Sequence, residues 1–186
     1  MGGLCFVCLT RGSAASVNHI GTGALTIGEY GRGPLPRTRE VVEAVGAAHI
    51  KADVAENLAE TRWRKLSWNI PFNGLSVAAG GVSTLEILED PALRAECRAI
   101  MDEVIETANR LGFPIEKEYA DFHMQRTPGM GHYRPSTLID WEAGQELEIE
   151  PIWGEPLRRA QAAGIEMPHL AGLYGRLRAI QDRRGK

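Results

Sequence analysis

The chain has 186 residues, 44% of them hydrophobic and 24% charged, and a formal net charge of -3. That is enough apolar material for a core without disulfides or a structural metal, and the length suits one to two domains. Dispersed basic residues in a slightly acidic chain give nucleic acid or an anionic membrane surface little to grip, and no apolar run approaches the ~20 residues of a membrane-spanning helix.

The opening residues, Met1 to Leu9, are apolar but lack a preceding basic region, so they do not read as a signal peptide. The expected location is cytoplasmic. Leu4–Leu9 reads as a buried strand, followed by β-rich runs at Ser16–Ile20 and Ala24–Gly28; Arg11-Gly12-Ser13 and Gly21-Thr22-Gly23 separate the three. Cys5 and Cys8 form a C-x-x-C. Residues three apart on a strand face opposite sides roughly 10 Å apart, whereas a disulfide needs Cα atoms within about 7 Å. With no second C-x-x-C and no histidine pair to complete a zinc set, both cysteines are expected to fill a core, and no metal is expected.

A Gly/Pro-rich connector, Gly31 to Pro36, leads to a helical pattern over Thr38–Ala48 and a short run around His49–Ala52. From Asp53, read as an N-cap, the pattern is almost entirely helical. The first helix is predicted to reach about Ala79 with Pro71 inside it, where one backbone hydrogen bond is lost and a kink is expected. Later windows are Pro91–Leu111, Ile115–Gln125, Pro135–Ala143, Glu155–Ala163 and Pro168–Gln181, with Gly112, Gly144 and Gly164 placed as helix-ending glycines. The loop Pro128 to His132 follows helix rather than strand and reads as an ordinary loop, and the five histidines read as structural.

The predicted fold class is therefore mainly α, with a β-rich stub and connector over residues 1–35 and a helical domain over 36–186. Three strands make a poor sheet by themselves, and no G-x-G-x-x-G lies between a strand and a helix. Either the strands pair with another chain, or further chain belongs upstream.

The stretch with chemical content is Trp63-Arg64-Lys65-Leu66-Ser67-Trp68-Asn69-Ile70-Pro71-Phe72-Asn73. On a helix Lys65, Asn69 and Asn73 fall at i, i+4 and i+8, drifting by only about 80° over about 12 Å. Amides in so apolar a helix are costly without partners, so the stripe should face water or a polar pocket. Spacing alone leaves both a solvated face and a functional stripe open.

This stretch, W-R-K-L-x-x-N-x-x-x-N, resembles the signature of the ketopantoate reductase family. A second block, Pro135-Ser136-Thr137-Leu138-Ile139-Asp140 with Gly144 and Glu148, resembles that family's S-[MT]-L-x-D-x-x-x-G-x-x-x-E pattern. Val17-Asn18-His19-Ile20, Leu25-Thr26-Ile27-Gly28 and Arg158-Arg159-Ala160 with Gly164-Ile165 and Pro168 also look like family landmarks, so the resemblance covers essentially the whole chain.

The resemblance implies a helical domain of the 6-phosphogluconate-dehydrogenase-like type, preceded by the last strands of a Rossmann domain that binds NADPH. It implies Lys65 as the general acid, Asn69 and Asn73 as ligands of the substrate's hydroxyl and carbonyl groups, Ser136 as donor to its carboxylate, and Glu148 as a cofactor contact near the ribose. The substrate would be a small 2-keto acid, ketopantoate first among them. Without the dinucleotide fingerprint the chain alone is expected to be inactive, and its strands are expected to pair in a homodimer.

Plainer readings stand beside these. Ser136 also suits a helix N-cap, and Glu148 lies in the acidic run Glu146 to Glu150, which suits a solvated face. Where many family members carry a further substrate-binding Asn, this chain has Gly80-Gly81-Val82-Ser83, which leaves other 2-keto acids open as substrate. A non-catalytic helical oligomerisation or binding module is the rival from another class; a 3-hydroxy acid dehydrogenase of the same plan fits the paired Asn spacing less well.

Overall fold

A computed structural model of the chain describes residues 1–7, 9–19 and 23–184, which divide into two compact units, Met1–Arg62 and Trp63–Lys186. The first unit is built on β1 (Gly2–Phe6), β4 (Ala24–Gly28) and β5 (Lys51–Ala55), in the order β1-β4-β5. β1 runs antiparallel to β4, with Gly2 opposite Gly28 and Phe6 opposite Ala24; β4 and β5 are parallel, with Ala24 beside Lys51 and Gly28 beside Ala55. The parallel pair is joined through α1 (Pro36–Ala47), a connection of the kind that a parallel pairing requires. A Cβ on Gly28 would lie 2.9 Å from the Ala55 Cβ, so glycine is what lets β4 approach its neighbour. A separate two-stranded ribbon pairs β2 (Leu9–Arg11) with β3 (Val17–His19).

These pairings revise the expected strands. The predicted Leu4–Leu9 strand is two strands, because β1 exhausts its partner at Ala24 and the chain then pairs with β3 instead. Cys5 is exposed, on the face opposite the buried Leu4, and so does not fill a core; Cys8 lies outside the described residues. Asp53 sits inside β5 opposite Thr26 and caps nothing. Because β5 joins the sheet, the β-rich unit reaches Arg62, well past the connector at residue 35.

A charged group is fully enclosed in this unit. Glu29, 1% exposed, takes two hydrogen bonds from Arg37, at 2.8 and 2.7 Å, and one from the Thr38 hydroxyl at 2.9 Å. The Arg37 hydrogen bond is the largest cause holding its carboxyl down at about 2.

The helical unit is arranged around α2 (Leu58–Ala78), which begins in the first unit. The Asn57 side chain, not Asp53, caps it by accepting from the amides of Ala59 and Glu60. From Ile70 to Val77 every residue is buried, so this part of α2 is a core helix on all sides. Around it pack α3 (Thr84–Glu89), α4 (Pro91–Arg110), α5 (Glu118–Arg126), α6 (Ser136–Glu142), α7 (Glu155–Ala162) and α8 (Pro168–Arg184). α3 escaped the sequence prediction although Ser83 and Glu86 form a capping box at its start. A 3₁₀ turn, Thr127–Met130, follows α5, and a π turn, Glu150–Gly154, precedes α7.

α8 contributes Leu170, Leu173 and Leu177 to the core at i, i+3 and i+7. Its first turn is held by Glu103 of α4, whose carboxylate accepts from the amides of His169 and Leu170 at 2.8 and 2.9 Å. A carboxylate there also complements the positive end of the helix dipole. Gly112, Gly144 and Gly164 have φ values of 86°, 73° and 65°, the left-handed geometry of helix-ending glycines.

Candidate active site

Lys65, Asn69 and Asn73 lie on one uninterrupted helix, since α2 continues through Pro71. Their environments grade along it: Lys65 and Asn69 are half-buried, and Asn73 is 2% exposed. Asn73 is thus closed off from bulk water. Its side-chain N–H donates to the Thr137 hydroxyl of α6 at 3.1 Å, while its carbonyl oxygen is buried without a partner among the described residues.

Thr137 adjoins Ser136, so this bond draws the start of α6 onto the amide stripe. Ser136 is exposed and is the first residue of α6. The cap position belongs to Pro135 and no side chain caps the helix, so the N-cap reading of Ser136 is corrected and its hydroxyl is available for other work.

Two tethers fix α2 from other sides. Beside Pro71, whose ring leaves no N–H for the helix, the Trp153 indole donates to the Ile70 carbonyl at 2.9 Å. A Cβ on Gly74 would stand 2.6 Å from Leu173 Cδ2 and 2.8 Å from the Trp153 indole nitrogen, so glycine here lets α8 and the π turn close on the helix. On another face the Trp68 indole donates to Thr127 at 3.0 Å, Thr127 donates to the His123 carbonyl at 2.7 Å, and the His123 ring meets the Ser67 hydroxyl at 3.3 Å. Burial pushes the His123 imidazole down to about 4, with the Arg126 charge adding to it. Neither tether was anticipated from sequence; a glycine in mid-helix directly after Asn73 was the one available signal.

Glu148 is exposed, between α6 and the π turn, on the rim of an open cleft of about 590 Å³ shared with Glu150, Arg178, Gln181 and Asp182. The bond that joins α6 to α2 does not involve it. Glu150 is engaged by Tyr174 at 2.6 Å, Arg158 at 2.6 Å and Arg178 at 3.0 Å, with the Tyr174 hydrogen bond the largest cause of its lowered pKa. Ser83 is engaged at the start of α3: its hydroxyl donates to Glu86 at 2.6 Å and meets His132 at 3.1 Å.

The family model described as the C-terminal part of ketopantoate reductase PanE/ApbA matches residues 57–181. The chain belongs to the ketopantoate reductase family. A 2-dehydropantoate 2-reductase of Nostoc is 34% identical over 98% of this chain and 59% of its own length. The crystal structure of 2-dehydropantoate 2-reductase from Methylococcus capsulatus matches with a TM-score of 0.92 at 34% identity, covering 99% of this chain and 63% of that one. A dimeric ketopantoate reductase from Staphylococcus aureus matches at 0.82 and 25% identity, covering 98% and 63%. The chain therefore spans about three-fifths of the length of these ketopantoate reductases. The family match takes in Lys65, Asn69, Asn73, Ser136 and Glu148 together, and the mainly helical fold is the one that these solved structures share.

Proposed function

We propose that the chain carries the substrate-binding and catalytic part of an NADPH-dependent reductase that converts 2-dehydropantoate (ketopantoate) to pantoate, a step of pantothenate biosynthesis. The observation that supports this reading is the Asn73–Thr137 hydrogen bond, which ties one end of the Lys65–Asn69–Asn73 stripe to the residue next to Ser136. Lys65 gives its proton to the ketone oxygen as the carbonyl carbon is reduced. Asn69 and Asn73 hold the hydroxyl and carbonyl groups, fixing the reacting carbon in place. Ser136, exposed at the first position of α6, donates to the carboxylate.

The cofactor supplies a hydride when bound. Among the residues present, an exposed carboxylate on an open cleft suits a ribose hydroxyl, and Glu148 is assigned that contact. The 186 residues contain no glycine-rich turn for a pyrophosphate, so most of the cofactor's contacts fall to residues outside them. This chain by itself is then inactive, and the reductase works in the cytoplasm and self-associates as a homodimer. A reductase of another 2-keto acid is the variant of this reading that the Gly80–Ser83 segment keeps in view.

The test is a pair of measurements. The 186-residue chain should show no NADPH binding at micromolar concentration by calorimetry, while the chain joined behind the nucleotide-binding part of the Nostoc relative should oxidise NADPH with ketopantoate. Tight NADPH binding to the chain alone, or a joined protein that binds NADPH but leaves ketopantoate untouched, would overturn the assignment.

A further inference from the structure

We infer that His132, its ring held by Ser83, is a positioning residue for the substrate's carboxylate: it fixes the loop from Gly131 to Pro135 and, through that loop, the hydroxyl of Ser136. This rests on the reading of Ser136 as the carboxylate's donor. The Ser83 hydroxyl has three polar neighbours, the Glu86 carboxylate at 2.6 Å, the Glu86 amide at 3.3 Å and Nδ1 of His132 at 3.1 Å. It has one proton to give. The amide can only donate. An ionised carboxylate can only accept, and the Ser83 hydroxyl bond is the largest cause holding the Glu86 pKa down. Two oxygens 2.6 Å apart with no proton between them would repel, so the Ser83 proton lies toward Glu86. Ser83 therefore meets His132 as an acceptor, and Nδ1 carries a hydrogen. Protonating the other ring nitrogen leaves that hydrogen in place, so the bond survives in both charge states of the ring.

The loop needs such a hold. Gly129 and Gly131 stand at its start, a Cβ on either would meet nothing within 4 Å, and Gly131 has a φ of 62°. Glycines leave the backbone free to settle where its bonds draw it. Two bonds draw this loop to adjoining residues at the start of α3: His132 donates to Ser83, and the Thr84 N–H donates to the Tyr133 carbonyl at 3.0 Å. The Tyr133 ring also lies 6.1 Å from that of Trp68 on α2, next to Asn69. Beyond Tyr133 the buried Pro135, with its ring-fixed φ of -60°, is a stiff link, and Ser136 follows it directly. A ring pinned to α3 thus sets where the exposed Ser136 hydroxyl stands.

Two measurements test this. In the ¹⁵N-labelled 186-residue chain, long-range ¹H–¹⁵N spectra should show the neutral His132 ring with its hydrogen on Nδ1, and Ser83→Ala should release that preference. Steady-state kinetics then use the chain joined to a nucleotide-binding part, as wild type, His132→Gln, His132→Asn, Ser136→Ala and the pair His132→Gln with Ser136→Ala. The Asn side chain places an N–H where Nδ1 stands, whereas Gln places it where Nε2 stands. His132 is exposed, so neither change disturbs the core. His132→Gln should raise KM for ketopantoate about fivefold, the worth of one hydrogen bond, and leave kcat within about twofold. His132→Asn should keep KM within about twofold of wild type, since it keeps the donor. In the Ser136→Ala background His132→Gln should add nothing, because the hydroxyl that it places is gone.

A wild-type ring with its hydrogen on Nε2 overturns the inference whatever the kinetics show. Equal losses in His132→Asn and His132→Gln would mean a merely structural ring and sink it too. So would a His132→Gln with the wild-type KM, or one whose loss adds in full to that of Ser136→Ala, while leaving Ser136 as the carboxylate's donor. A Ser136→Ala variant with an unchanged KM would instead remove the role of Ser136 itself, and a joined protein without turnover would remove the reading beneath both.

Discussion

In the Trp63–Lys186 unit Phe72, Trp153, Leu170, Leu173 and Leu177 are completely enclosed, whereas among the described residues of the Met1–Arg62 unit the buried cluster is the small set Leu4, Ala55 and Leu58, and Leu9 and Val17 are 49% and 64% exposed. The two differ for a topological reason. Helices wrapped around α2 can cover it on every side, so the helical unit closes its core with its own residues. A three-stranded sheet has two faces and two edges, and one crossover helix covers little of that. The edges are unlike: β5 carries the exposed charges Lys51 and Asp53, while β1 is an uncharged Gly-Gly-Leu-Cys-Phe run. A self-sufficient unit suits a site that must hold its geometry, and the unit with uncovered apolar residues is where further protein surface is to be expected.

The sharpest way to break this contrast is through activity. In the protein joined to a nucleotide-binding part, Lys65→Ala should lower kcat by on the order of 10²–10⁴, the usual worth of a general acid. Asp53→Asn, in β5, should leave it within about twofold, since removing one exposed charge on an edge strand is worth little. Steady-state kinetics decide it; a Lys65 variant with near-normal kcat would take the chemistry out of the helical unit.

Core substitutions sharpen the contrast next. All four tryptophans, Trp63, Trp68, Trp141 and Trp153, belong to the helical unit, so indole fluorescence reports its unfolding selectively. Leu173→Ala should destabilise that transition by about 3–5 kcal/mol, the range for a fully enclosed leucine. Leu4→Ala should scarcely move it. Urea melts in which Leu4→Ala shifts the fluorescence midpoint as far as Leu173→Ala does would mean that the two cores are not separate.

Acid should find the helical unit first. His123 has a folded value near 4 against 6.5 in the unfolded chain, so the fold favours the neutral ring. Its contribution is complete above about 6.5 and declines as the pH falls toward 4, by on the order of 3 kcal/mol in all. Glu29 in the first unit runs lower: held near 2 against 4.5 by Arg37, its contribution is complete above 4.5 and fades only as the pH approaches 2. Stability measured from pH 7 to 4 should therefore fall in wild type and fall less in His123→Gln. An equal decline in both would remove His123 as the cause.

The smallest effect concerns self-association. Leu9 and Val17 lie on the same side of the β2–β3 ribbon, since Leu9 pairs with His19 and Val17 with Arg11. Light scattering at tens of micromolar should give a dimer mass, and Leu9→Lys with Val17→Lys should shift it toward 20.4 kDa without changing the tryptophan transition. A wild type of monomeric mass would end the dimer proposal.

Much of the helical unit was legible because its signals are local. Helix-ending glycines at 112, 144 and 164, prolines at 91 and 168 and the i, i+4, i+8 stripe each depend on a few neighbouring residues. The Lys65–Asn69–Asn73 stripe and the Ser136–Glu148 block could be picked out for the same reason, as spacings within single segments. The strand boundaries were less legible: where β1 stops is decided by the start of β4 at Ala24, far along the chain, and Asp53 looked like a cap only until β5 had a partner.

By itself, then, the sequence determined the mainly helical class, the amide stripe and the absence of a dinucleotide fingerprint within these residues. Tertiary structure alone decided that Asn73 turns its nitrogen to Thr137, that Ser136 leads its helix rather than capping it, and that Trp153 and Leu173 close on Gly74. The physical reason is range. Helix periodicity and capping are written within a turn or two, whereas an Asn73–Thr137 bond spans 64 positions and exists only once the core between them has packed.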